Sequence, residues 1–272
     1  SSYYRVCKNK HAINITTVHD FTYEYFTTGI KKKIHCLQKY HAIRNSDYII
    51  CISENTKKDL LHFLPDIDEN KIVVIPNGIS EDYYMMSQEN FLKNIPFKKN
   101  EYLLFVGSRS TYKNFNLVLE AIAASKFKLV IVGKPLNDEE KNMIFKKKIS
   151  PKSYICLDNI SNQNLNLLYN NAFALLYPSS YEGFGIPVLE AQKAGCPVIA
   201  YNKSSIPEII GDTPLLFDDL SVEAILSKLD ILSDHQQRDF IIKKGIENAT
   251  HYTWDNTFDK VLSLYKKAWK NT

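Results

Sequence analysis

Nine short apolar runs rich in β-branched residues alternate with helix-length segments along the 272 residues, and this alternation restricts the fold most. The runs lie at 13–18, 47–53, 71–75, 102–106, 129–132, 154–157, 172–176, 197–200 and 215–217. Between them fall helical segments at 31–46, 54–63, 115–125, 138–147, 162–170 and 187–194, and three more follow at 222–232, 235–248 and 253–269. Strand–helix alternation predicts an α/β chain with parallel, doubly wound sheets. Three runs precede the polar, aperiodic stretch 81–100 and six follow it. The expected organisation is therefore a partial Rossmann-like domain at 1–80, a linker at 81–100, a complete Rossmann-like domain at 101–250, and a terminal helix at 251–272. Ser53 is placed to cap the helix 54–63.

Composition excludes several classes. Hydrophobic residues make up 44% and charged residues 24%, which is ordinary globular composition. The five cysteines, at 7, 36, 51, 156 and 196, form no Cys-x-x-Cys pair, and the histidines at 11, 35, 41, 62, 235 and 251 form no ligand-spaced cluster. Neither a disulfide framework nor a metal site is indicated, and reduced thiols suit the cytoplasm. Residues 1–50 carry eight Lys/Arg against three Asp/Glu, more than the whole net charge of +4. No nucleic-acid-binding motif accompanies that charge; an anionic membrane surface is the other candidate partner, beside a simply solvated helix face.

The densest chemistry lies at 177–196, Tyr-Pro-Ser-Ser-Tyr-Glu-Gly-Phe-Gly-Ile-Pro-Val-Leu-Glu-Ala-Gln-Lys-Ala-Gly-Cys. A strand-type run precedes it. Pro187 suits the first turn of a following helix, and Gly195 suits its end. Gly183 and Gly185 allow close backbone approach to a ligand, and the helix start offers unsatisfied N–H groups. Glu182 and Glu190 stand eight residues apart. A carboxylate is repelled by phosphate, so each is expected to accept hydrogen bonds from sugar hydroxyls. After the run 102–106 come Gly107, Arg109 and Lys113. This is neither Gly-x-Gly-x-x-Gly nor a P-loop; Arg109 offers a fork of donors and Lys113 a point charge, both suited to a diphosphate at the strand ends.

The Glu-x7-Glu stretch, with Glu-Gly-Phe-Gly inside it and Gly-Cys-Pro-Val-Ile after it, resembles the signature of retaining family-four glycosyltransferases of the two-domain GT-B fold. Pro76-Asn77-Gly78, read as a turn in which glycine supplies positive φ, and 204–212 resemble further scaffold elements of that family. The resemblance implies transfer of a hexose, mannose favoured, from a GDP- or UDP-linked sugar to a glycan or polyprenyl-diphosphate-linked acceptor in surface-polysaccharide synthesis. It implies no metal and no cofactor beyond the nucleotide-sugar substrate. Arg109 and Lys113 then hold the diphosphate and stabilise the leaving group, Glu182 and the backbone from Gly183 and Phe184 through Gly185 and Ile186 hold the sugar, and Glu190 holds the ribose. The loops at Lys134 and Ile160 serve the nucleobase, and His19 faces the sugar, with Asp20 orienting its loop.

A family member normally begins with a further strand–helix series and a glycine-rich first loop, so the resemblance implies a fragment or a shortened form. Alternative readings are an epimerase or hydrolase of the same fold, or a nucleotide-sugar-binding fragment that has lost catalysis. In the family the terminal helix crosses back to the first domain, for which Trp254, Phe258, Leu262, Tyr265 and Trp269 supply an apolar face. Lys31, Lys32, Lys33, Lys39 and Arg44 crowd one helix, whose Ile34, Leu37 and Tyr40 are expected to serve the core, leaving the charges to attract the inner face of the plasma membrane.

Overall fold

The computed structural model describes residues 4–9, 11–88, 90, 92 and 95–270; the remaining positions of the expected first domain, linker and terminal helix lie outside the described residues. The elements follow in the order β1 (Ile15–Val18), α1 (Thr22–Phe26), α2 (Gly29–Arg44), β2 (Tyr48–Cys51), α3 (Glu54–Phe63) and β3 (Ile72–Val74). Then come β4 (Tyr102–Val106), α4 (Phe115–Ala123), β5 (Lys128–Val132), α5 (Asp138–Lys146), β6 (Tyr154–Leu157), α6 (Asn162–Asn171) and β7 (Ala174–Tyr177). The chain continues through α7 (Ile186–Lys193), β8 (Val198–Tyr201), α8 (Ile206–Ile210), β9 (Leu216–Phe217), α9 (Val222–Ile231), α10 (His235–Ala249) and α11 (Trp254–Lys270). They form two units: 1–78 with 181–185 and 252–272, and 79–180 with 186–251.

In the first unit β1, β2 and β3 make a parallel sheet in that order, with Ile15 opposite Tyr48 and Ile49 opposite Ile72. Ser53 caps α3 by accepting the Thr56 N–H at 3.0 Å, as expected. Gly78 departs from expectation, because its φ is not positive. A side chain there would overlap the backbone of Thr253 and Trp254, so the start of α11 requires glycine by close approach.

The buried faces of two helices also differ from expectation. On α2 the apolar residues Ile30, Ile34 and Leu37 are 74%, 53% and 69% exposed, whereas Lys39, Ala42 and Ile43 are buried. The reason is a buried ion pair: Lys39 Nζ lies 2.9 Å from Glu24 Oε1, donates to Asp20 O at 2.7 Å and sits over the Phe21 ring. Lys39 is thus a core residue and not a surface charge, and Arg44 is paired with Asp66 at 3.0 Å. On α11, Trp254, Phe258, Tyr265 and Trp269 are exposed, while Leu264 and Ala268 are buried and Thr257 donates to Pro76 O at 2.9 Å. The helix packs through the stripe one residue before the aromatic one.

The second unit carries a six-stranded parallel sheet in the order β6-β5-β4-β7-β8-β9. Its central strands β5, β4, β7 and β8 are buried on both faces, which is why they read as continuous apolar runs. Leu103 and Phe105 of β4 enter one core cluster, with Leu129, Ile131 and Leu176; Tyr102 and Leu104 enter the other, with Val130, Leu175 and Val198. The connection 81–100, expected as an aperiodic linker, is packed at its described ends, since Tyr83 and Phe97 belong to the second cluster.

Candidate functional site

Numbered from β4, the strand order of the second unit is 3-2-1-4-5-6, so the chain reverses direction across the sheet between β4 and β7. In doubly wound sheets ligands bind at the strand ends beside that switch point. The loops after β4 and β7 meet there: the Ser180 N–H donates to Tyr112 O at 2.8 Å, and Asn114 Nδ2 donates to Pro178 O at 2.7 Å and Ser180 Oγ at 2.8 Å. Lys113 lies in the first of these loops, its ammonium 5.4 Å from the ring centre of Tyr177 and 5.5 Å from that of Tyr112.

Arg109 is bonded otherwise than its sequence position suggested. Its Nε donates to Glu140 Oε1 at 2.6 Å, and Nη2 donates to Glu140 Oε2 at 3.1 Å, Lys134 O at 2.8 Å and Pro135 O at 3.1 Å. Only Nη1 has no protein partner, and it is buried. The fork expected on a diphosphate therefore clamps the loop after β5. Glu140 is itself the third residue of α5 and forms a capping box with Asn137. Burial alone would raise its pKa, but Arg109 and the Asn137 N–H together hold it below the usual carboxylate range. Lys134 is exposed beside Gly133, and Ile160 packs against the second cluster.

Glu190 lies inside α7, half-buried. Tyr169 donates to its Oε2 at 3.1 Å, while the nearby Tyr83 hydroxyl donates to Asn162 Oδ1 at 3.3 Å. Burial raises the Glu190 pKa, and the Tyr169 hydroxyl opposes that rise. Tyr169 was not singled out as a partner of the carboxylate from sequence, where it reads as packing.

In the first unit the segment 181–185 is held from below. Tyr181 donates to Asp59 Oδ2 at 2.8 Å and accepts the Phe21 N–H at 2.8 Å. Gly183 O accepts from Ser53 Oγ at 2.7 Å and Thr56 Oγ1 at 3.1 Å. A side chain at Gly183 would strike His19 O and Asp20 Cβ, so this glycine is required by a protein neighbour. Glu182 and Phe184 thus follow the β1–α1 loop that carries His19. The His19 ring is pushed by burial below the ordinary histidine value, although Asp20 pulls the other way. Asp59, Tyr181, Ser53 and Thr56 carried no sequence signal for this role. A separate cleft of about 1050 Å³ runs along the edge strand β1 and is lined by Ile13, Ile15, Tyr265 and Trp269. Among the described residues no cluster of His, Cys, Asp and Glu is fit to hold a metal, and no helix is long and apolar enough to cross a membrane.

A sheet of this order is the Rossmann arrangement, and the chain shares the fold of solved GT-B glycosyltransferases. The sucrose-phosphate synthase of Thermosynechococcus elongatus superposes with a TM-score of 0.80 at 19% identity, over 95% of this chain and 68% of that one. The chain belongs to the family described as glycosyl transferases group 1, whose model matches residues 87–251, and residues 2–83 match the model of Glycosyltransferase Family 4. It is 25% identical to O-antigen chain mannosyltransferase B of Escherichia coli and 26% identical to O-antigen chain mannosyltransferase RfbU of Salmonella typhimurium, over 93% and 92% of its own length and 70% of each relative. It spans 64% and 56% of two further relatives.

Proposed function

We propose that the chain transfers a hexose, mannose in preference, from a GDP- or UDP-linked donor to a glycan or polyprenyl-diphosphate-linked acceptor, with retention of anomeric configuration. The observation that carries this reading is that one unit holds both Lys113, in the loop at the switch point, and the carboxylate of Glu190, bonded by Tyr169. An ammonium there stabilises the departing diphosphate, and a half-buried, oriented carboxylate binds ribose hydroxyls as an acceptor. Glu182 and the backbone of Gly183 to Ile186 hold the sugar, and His19, neutral above its lowered pKa, exchanges hydrogen bonds with a hydroxyl. Same-face attack, with the leaving phosphate accepting the acceptor's proton, accounts for retention and requires no carboxylate nucleophile. The relatives named O-antigen mannosyltransferases support the sugar and the polymer.

Peripheral attachment to the inner face of the plasma membrane belongs to the same reading. It is supported by the exposed Ile30, Ile34 and Leu37 beside Lys31 and Lys33. The decisive experiment offers radiolabelled GDP-mannose and UDP-glucose with polyprenyl-diphosphate-linked acceptors and determines the product anomer by NMR. An α-linked product from the α-linked donor is expected. Sugar release without acceptor would convert the reading to a hydrolase, and nucleotide binding without turnover would reduce it to a binding module.

A further inference from the structure

The segment 181–185 lies in sequence between β7 and α7 of the second unit, yet it packs as part of the first. One carboxylate of α3 gathers it there. Asp59 is 7% exposed and accepts three donors. Tyr181 Oη donates to its Oδ2 at 2.8 Å, Asn55 Nδ2 to the same oxygen at 3.1 Å, and Tyr25 Oη to Oδ1 at 2.9 Å. A buried carboxylate is costly unless donors meet its lone pairs. Asn55 comes from α3 itself, one turn earlier, whereas Tyr25 comes from α1 and Tyr181 from the segment.

The Tyr181 hydroxyl is used twice. Its proton is committed to Asp59, and its oxygen accepts the Phe21 N–H at 2.8 Å. Phe21 ends the loop after β1 that carries His19 and Asp20. That loop is also held from α2, where Lys39 donates to Asp20 O at 2.7 Å. Two residues beyond Tyr181, Gly183 O accepts from Ser53 Oγ at 2.7 Å and from Thr56 Oγ1 at 3.1 Å. Aromatic rings enclose the arrangement: the Tyr181 ring centre lies 5.0 Å from that of Tyr25 and 5.6 Å from that of Phe26, and Phe21 stacks on Phe63 at 5.3 Å. A phenylalanine at 181 would fill the same space and give up both bonds. The hydroxyl, not the ring, therefore ties the segment to the loop, and Asp59 sets the direction in which that hydroxyl points.

We propose that Asp59 is a positioning residue which, through the Tyr181 hydroxyl, holds the His19 loop and the segment carrying Glu182 as one body. This rests on the reading of His19 and Glu182 as the groups that hold the sugar, and the experiment separates the two. Lys113 and Glu190, read as holding the nucleotide, belong to the second unit. Sugar positioning and nucleotide binding are then separable by mutation.

Amide hydrogen exchange of the ligand-free protein, resolved by NMR, is the first readout. Asp59→Asn does not touch the bond between Tyr181 and Phe21, but it puts an amide donor where hydroxyl protons need an acceptor. The Phe21 amide should exchange about tenfold faster or more. The Leu64 amide, which closes the same helix by donating to Leu60 O at 2.8 Å, should keep its rate. Tyr181→Phe should give the same pattern, and adding Asp59→Asn to it should change the Phe21 amide no further. An unchanged Phe21 amide overturns the proposal, as does an equal acceleration at Leu64, which marks general loosening of α3. Tyr181→Phe, which removes no charge, decides by the same two amides if Asp59→Asn does not fold.

Turnover of a radiolabelled donor, by transfer or by sugar release, is the second readout, with calorimetry on uridine and guanosine diphosphate beside it. Both variants should lower kcat about tenfold while holding nucleotide affinity within about twofold. A fall in nucleotide affinity as large as the fall in kcat overturns the proposal. Full kcat in His19→Gln, with the Phe21 amide still accelerated in Asp59→Asn, removes the sugar reading of His19 and leaves the positioning intact.

Discussion

Arg109 and Lys113 stand four residues apart in the loop after β4, yet their surroundings give them different work. The Arg109 guanidinium, with its side chain 5% exposed, is closed on Glu140 and two carbonyls. Lys113 holds its ammonium 5.4 Å and 5.5 Å from the ring centres of Tyr177 and Tyr112, and the proposed function sets that cation against the diphosphate. Lys113→Ala is accordingly expected to weaken nucleoside diphosphate binding by about 2 kcal/mol while leaving the free nucleoside nearly unaffected. Calorimetry on both ligands checks this, and equal losses would indicate general damage to the pocket. For His19, desolvation of the ring sets the sign. Its pKa lies below 6.5, so the neutral ring dominates at neutral pH and is lost only as pH falls through that lowered value. The pH profile of kcat/KM should be flat from neutral pH upward and carry an acid limb below 6.5, which His19→Gln abolishes. A limb that survives in His19→Gln belongs to another group. The bond from Tyr169 to Glu190 was not legible in the sequence, because a buried tyrosine reads as packing until its hydroxyl is seen against a carboxylate.

At the scale of elements, α5 joins folding to the site. Its capping-box residue Glu140 is also the partner of Arg109, so one carboxylate ends a helix and fixes the loops after β4 and β5. Glu140→Gln would leave a buried guanidinium without its counter-charge, and a loss of about 3 kcal/mol is expected in urea unfolding at neutral pH. A depressed carboxyl stabilises the folded chain above its unfolded value of 4.5, and that contribution disappears as pH falls through the folded value. The variant should therefore lose less stability on acidification than the parent, and parallel curves would show that the pair contributes nothing. The strands were legible because parallel strands covered on both faces must be apolar throughout. The buried faces of α2 and α11 were not. Lys39 enters the core only because Glu24 and Phe21 receive it, and α11 turns its most apolar stripe outward. The fixing of Tyr84 and Met86, whose backbone N–H groups donate to Asn166 and Asn170 of α6, was equally hidden, since side-chain amides that bind a backbone leave no hydrophobic period in the segment they hold.

For the molecule as a whole, the charge imbalance and the exposed apolar stripe fall on the same helix. Five cations were expected to attract an anionic membrane on their own. Lys39 is buried and Arg44 engages Asp66, which leaves Lys31 and Lys33 exposed and Lys32 partly so, bonded to Glu24 O at 2.6 Å. Each basic residue near an anionic leaflet contributes ~1 kcal/mol, which makes three of them a weak and salt-sensitive anchor. Ile30, Ile34 and Leu37 change that balance. They are outward-facing at i, i+4 and i+7, and inserting them removes apolar surface from water for roughly 1–2 kcal/mol each. Attraction then comes from the lysines and retention from the stripe. Liposome sedimentation separates the two contributions. Lys31, Lys32 and Lys33→Gln should abolish the preference for anionic over zwitterionic vesicles. Ile30 and Leu37→Ser should weaken binding by about tenfold or more at every salt concentration while preserving that preference. If the parent chain does not sediment with anionic vesicles at low salt, α2 is not a membrane contact, and the acceptor reaches this enzyme from solution.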